Sequence, residues 1–153
     1  MKTELLLLTL LLLLTTMPSH AVTPTTAPTI TGVDAGTVQG DGSYRWSWHV
    51  YAGSKPSLSH LTIELCPEVI AGIVPGSIFG GTGHELVPGG LKWEFDFDDF
   101  ETGLIGLSLT SAWSAAPTAV DFKSGQLHYA QDVTAPHCDD APPTTPEPTT
   151  LAL

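Results

Sequence analysis

The densest run of ionisable side chains is EFDFDDFE, which places Glu94, Asp96, Asp98, Asp99 and Glu101 within one short stretch. Carboxylate oxygens suit Ca²⁺, which takes about six to eight of them. Along a strand, however, Glu94, Asp96 and Asp98 project from one side in steps of roughly 6–7 Å, too widely spaced to close on a single ion. Only Asp98, Asp99 and Glu101, at the turn ending the run, can converge, and they are the candidate Ca²⁺ ligands. The competing reading is a solvated acidic face. A glycosidase would also use two carboxylates, but across a cleft, and a strand with its turn suggests none.

Other catalytic chemistry finds no framework. His84-Glu85 opens like a zinc-protease helix, but Pro88 stands where the second histidine is required. His49, His60, His84, His128 and His137 are scattered without recurring chelate spacing, and three of them, His49, His60 and His128, fall on the polar side of strand-like segments. Neither a nucleophile elbow nor a phosphate-binding loop is present. The expectation is a protein that is not an enzyme and needs no cofactor, apart from the Ca²⁺ option. Aromatic rings offer a binding chemistry instead, since sugars stack on exposed Trp and Tyr faces. Trp46 and Trp48 read as core, whereas Tyr51 and Trp113 break the inward pattern or end a strand, and are the candidate ligand-binding rings. Packing in the core or at its rim is the alternative, because aromatic side chains dominate buried cores.

What the two cysteines do depends on where the protein resides. Met1-Lys2, the leucine block that follows and Ser19-His20-Ala21 make a charged start, a short apolar core and a small-residue exit. That is the pattern of a secretory signal peptide over residues 1–21, with maturation expected near Val22. The apolar run falls short of the roughly 20 residues that span a bilayer, so an uncleaved anchor is the lesser reading and the mature chain is not expected to cross the membrane. Export makes an even cysteine count a disulfide, Cys66–Cys138, with two free buried thiols as the alternative. Closing a loop of about 70 residues is worth roughly 4 kcal/mol in the chain-entropy model, and the link would pin the last strand to the body.

The chain carries sixteen acidic against five basic residues and a formal charge of −11. Such a surface repels nucleic acid and anionic lipid heads, so both are poor partners, and no nucleic-acid partner is expected. There is no asparagine, hence no N-glycosylation acceptor. VTPTTAP (residues 22–28) and the Pro/Thr-rich stretch within residues 139–153 are extended spacers. Between them, residues 29–138 suffice for one domain.

That domain reads as strands. ITGVDAGTV (30–38) ends at a QGDG turn. SYRWSWHVYA (43–52) alternates Tyr44, Trp46, Trp48 and Val50 against Arg45, Ser47 and His49, the clearest period of two in the chain. LSHLTIELC (58–66) alternates again, and PEVIAGI (67–73) permits one helical turn with Pro at its start. Residues 76–90 read as a glycine-rich loop around a short strand at 77–79. Residues 91–97, 104–113, 119–122 and 126–133 complete the set, the last two as a hairpin about Lys123-Ser124-Gly125. About seven to eight short strands over 110 residues predict an all-β, single antiparallel β-sandwich, immunoglobulin-like or jelly-roll-like.

SHLTIELC (59–66), GGLKWEFD (89–96) and KSGQLHYAQDVTAPHC (123–138) together resemble a group of uncharacterised exported bacterial proteins often found with PEP-CTERM sorting signals. The closing PEPTTLAL, with Pro146, Glu147 and Pro148, is similar to the opening of such a signal. In that group an apolar helix and a basic cluster follow, which this sequence does not show, so a truncated or a degenerate signal is expected; a fortuitous Pro/Thr tail is the plain alternative. The resemblance implies a secreted or surface-sorted bacterial protein associated with the envelope or extracellular polysaccharide. A carbohydrate-binding module and a Ca²⁺-stabilised adhesin are the rival readings, and the oligomeric state is left open.

Overall fold

A computed structural model describes residues 26–54 and 57–138. The leader, most of the first spacer, and the tail with Pro146, Glu147 and Pro148 lie outside the described residues. Eight strands form two antiparallel sheets that pack as a sandwich. They are β1 (Thr29–Val38), β2 (Tyr44–Tyr51), β3 (His60–Glu64), β4 (Gly83–Val87), β5 (Gly90–Glu94), β6 (Thr102–Leu109), β7 (Ser114–Ser124) and β8 (Leu127–His137); one helical turn, α1 (Pro67–Ala71), follows β3. The smaller sheet has the order β1-β2-β6 and the larger β4-β5-β3-β7-β8. No helix among the described residues is long and apolar enough to cross a membrane.

The period of two in β2 organises the core. Trp46, Trp48 and Val50 are buried, while His49 on the other parity is exposed. Ser47 departs from simple alternation: it faces outward yet is fully buried, because its hydroxyl donates to Asp34 Oδ2 at 2.7 Å and the carboxylate covers it. Leu61 and Ile63 of β3, Leu91 and Trp93 of β5, Ile105 and Leu107 of β6 and Phe122 of β7 meet the two tryptophans from both layers. Trp48 and Trp93 touch edge to face at 6.3 Å, an arrangement that the ring quadrupole favours.

Both flanks of the sandwich are closed by polar devices. On one, residues 72–82 run along the outer edge of β6: Val74 N–H donates to Ser108 O, Phe79 and Gly106 exchange backbone bonds, and Thr110 N–H donates to Gly72 O. The Trp93 indole N–H reaches the same segment, donating to Phe79 O at 3.1 Å. Gly80 is required where this segment presses on β6: its φ is +84°, and a side chain would collide with Leu104 O. On the other flank, the Gln131 side chain of β8 pairs with the Ile30 backbone of β1, and the Trp48 indole N–H donates to Thr134 O at 2.9 Å.

Several segments differ from the sequence reading. Residues 83–87, read as loop, form β4, a hairpin with β5 closed by Pro88-Gly89. β4 overhangs the smaller sheet, so His84, Glu85 and Leu86 are all exposed and no alternation marks it. Ser77 to Phe79 makes one isolated bridge rather than a strand. β6 stops at Leu109, four residues before Trp113. β7 and β8 pair over eleven residues each, and the turn between them is Gly125-Gln126. Pro117 sits within β7 without cost to the β3 ladder, because β7 has there run past the last β3 partner, Val120.

Cys66 and Cys138 pair as a disulfide, with Cα atoms 6.3 Å apart. Cys66 precedes α1 and Cys138 follows β8. The link therefore ties the end of the last strand to the extension of β3, across the intervening β7.

Candidate functional site

Two candidate groups that sequence reading treats separately meet at one end of the smaller sheet. β2 ends at Tyr51, whose partner across the ladder is Thr102, the first residue of β6. The acidic turn leads directly into Thr102, so Asp98, Asp99 and Glu101 lie beside Tyr51. Two backbone bonds lock the approach: Ala52 N–H donates to Glu101 O at 2.9 Å, and Phe100 N–H donates to Gly53 O at 2.6 Å. Glu101 also accepts the Asp98 N–H through Oε2 at 2.8 Å, so one carboxylate staples the turn it belongs to.

Phe100 is the residue sequence reasoning missed. Its φ is +65°, the one positive value among the described non-glycine residues. A bulky residue rarely adopts that conformation, and holding it costs on the order of 1–3 kcal/mol. The ring gains no burial in return, being 58% exposed. It lies beside the half-buried Tyr51 ring, centroids 6.4 Å apart and planes inclined by 38°. From below, Phe95 and Phe97 anchor the turn. Their rings lie 4.7 Å apart, and Phe97 rests so closely on Gly103 that an added methyl there would come within 2.6 Å of the ring.

The result is a pair of surface rings bordered by acceptors: Asp96, Asp98 and Glu101 are exposed and Asp99 is half-buried. Ionised carboxylates only accept hydrogen bonds. Together with a tilted apolar surface, they suit a ligand that has one C–H-rich face and hydroxyl donors around its rim. The signal available in the sequence was an aromatic residue out of step with Phe95 and Phe97, set among acids in a turn.

The remaining candidates lie elsewhere. Trp113 follows β6 at the opposite end of the sheet, since Leu109 pairs with Tyr44 while Thr102 pairs with Tyr51. It is partly buried against the core rather than displayed, and its indole nitrogen is enclosed. Trp113, like Tyr51, is half-buried; it packs against the core past the end of β6. Among the described residues, the one group of three or more metal-ligand atoms within 4.8 Å of one another is Cys66, Glu68 and Cys138, and both of its sulfurs are in the disulfide. Asp98, Asp99 and Glu101 do not form such a group. A groove of about 400 Å³ adjoins the disulfide, with Glu64, Thr118 and His137 in its lining, far from the aromatic pair along the strands.

No histidine belongs to a group of metal-ligand atoms among the described residues. His49 and His84 are exposed, and His128 lies 3.7 Å from Asp121. His60, half-buried on the outer face of the larger sheet, has its pKa held below the ordinary imidazole range, first by desolvation and then by Lys92 and Lys123. Lys92 is held charged by Glu85 at 2.7 Å and Glu94 at 3.1 Å.

Comparison with protein-family models, with curated proteins and with solved structures returned no match.

Proposed function

We propose that this is an exported, non-catalytic bacterial surface protein that binds extracellular polysaccharide through the Tyr51–Phe100 platform. The observation that carries the reading is Phe100: a large apolar ring kept in a costly backbone conformation and left open to solvent beside a second ring. Strain retained without any gain in burial is accounted for by a ligand that supplies the missing contact. The leader pattern and the disulfide agree with an oxidising location, and the resemblance to sorted bacterial proteins supplies the surface context.

A panel of neutral and acidic polysaccharides, screened by affinity electrophoresis, tests the reading. At least one polymer is expected to retard the protein, with retardation lost in Tyr51→Ala and Phe100→Ala variants that melt like the parent. A panel that retards nothing, or retardation indifferent to both substitutions, overturns it.

A further inference from the structure

The platform occupies one end of a longer surface. On β2 the outward parity runs Arg45, Ser47, His49, Tyr51, and β6 lays Ser108, Gly106, Leu104 and Thr102 beside it. From Arg45 to Tyr51 is six residues, roughly 20 Å along a strand. Between them the Asp34 carboxylate covers Ser47 and the Phe79 ring covers Gly106, so these two side chains form the floor.

At the far end Arg45 sits with its guanidinium carbon 4.8 Å from the centre of the Phe79 ring. It lines a hollow of about 280 Å³ together with Gln39, Asp41, Ser77 and Ser108. The neighbouring polar groups are already engaged. Asp41 Oδ1 accepts from both the backbone and the hydroxyl of Ser43, and Ser77 exchanges bonds with the Ser108 backbone. The guanidinium is less so: its Nε is enclosed without a hydrogen bond, and its contact with Asp34 is an ion pair of 3.7 Å. A planar fork of donors set over a ring, with one long ion pair on its Nε side, keeps its two terminal nitrogens for a carboxylate.

We infer that the Arg45 hollow is a second subsite on the same face, which takes the carboxylate of a uronic acid unit in a polysaccharide whose other rings lie on Tyr51 and Phe100. This rests on the polysaccharide reading and adds the charge of the ligand to it. Asp34 and Asp41 decide the class of anion. Two carboxylates beside the fork oppose a multiply charged inorganic ion, whereas a sugar acid brings one charge and hydroxyl donors that Asp41 can accept. The acidic turn lies at the other end of β2, about two Debye lengths away at physiological salt, so its repulsion is largely screened.

The test uses polygalacturonate and its fully methyl-esterified, neutral form. A protein of charge −11 should by bulk electrostatics prefer the neutral polymer. The subsite instead predicts tighter binding of the acid, by about tenfold, the value of a charge-assisted bond. Arg45→Gln should bring the two polymers within about twofold of each other, and Tyr51→Ala should weaken both while keeping the acid preference. A melting curve for Arg45→Gln that overlays the parent shows that folding is intact. Equal binding of acid and ester by the parent, or a preference that survives in Arg45→Gln, overturns the subsite and leaves the polysaccharide reading standing. No binding of any polymer in the wider panel overturns both.

Discussion

The side-chain amide of Gln131 on β8 takes both backbone groups of Ile30 on β1: Oε1 accepts the Ile30 N–H at 3.2 Å, and Nε2 donates to the Ile30 carbonyl at 2.8 Å. One side chain thus imitates a neighbouring strand across the gap between two sheets. Ile30 is only 2% exposed, so water has little access to the groups that Gln131 satisfies.

Gln131→Ala should therefore cost about 2–4 kcal/mol, since two backbone groups lose their partner in a buried setting. Urea denaturation gives the value. Hydrogen exchange at the Ile30 amide should accelerate in the variant even under conditions where the global fold persists; unchanged protection would show that the amide is not needed to close this flank.

The disulfide closes a loop of 72 residues. Replacing Cys66 and Cys138 together by alanine is expected to lower stability by roughly 2–4 kcal/mol, read from denaturant midpoints with and without dithiothreitol. Native protein treated with iodoacetamide should take up no label. Two labelled thiols in the untreated protein would remove the link from the account.

Phe100→Gly separates stability from binding. Glycine accepts a φ of +65° without strain, and the lost ring is largely exposed. Stability should stay level or rise by up to about 1 kcal/mol, while polysaccharide binding disappears. A large destabilisation would mean that the ring serves the fold.

His60 sets a pH dependence. Its folded pKa lies below the ordinary value because burial, Lys92 and Lys123 disfavour the cation, against weaker support for it from Asp121 and Glu94. The unfolded chain then binds a proton at higher pH than the folded one. Stability from this group is full above about pH 6.5 and is lost as the pH falls through the depressed value. Melting temperature should drop between neutral and mildly acidic pH, and His60→Gln should flatten that limb. A limb of the same slope in the variant would assign it to other groups.

How much of this was legible beforehand varied with the physics of each segment. β2 could be read at sight, because a half-buried strand prints its two faces as alternate residues, and Trp46 and Trp48 fell on the buried parity. β4 could not: a strand that overhangs its partner sheet is wet on both sides, and GHELV carries no alternation. The end of β6 is hidden because Thr110-Ser111-Ala112 carry neither Gly nor Pro to mark where the ladder stops at Leu109. Tyr51 and the acidic turn were each noticed alone. Their adjacency depends on the pairing of Tyr51 with Thr102, a long-range register that no local pattern encodes. Arg45 lies on the outward parity that the sequence shows, but its contact with Phe79 joins β2 to the 77–79 segment, a long-range adjacency that no local pattern encodes.

The bond from the Trp48 indole to Thr134 joins positions 86 residues apart, and the Ile30–Gln131 pair joins positions 101 apart. The earliest strands of the domain thus wait for the last one to arrive. A chain synthesised only as far as β6 still lacks the acceptor of the Trp48 indole and the side chain that satisfies the Ile30 backbone. Closing this flank is a long-range step, slow by the standard of helical domains.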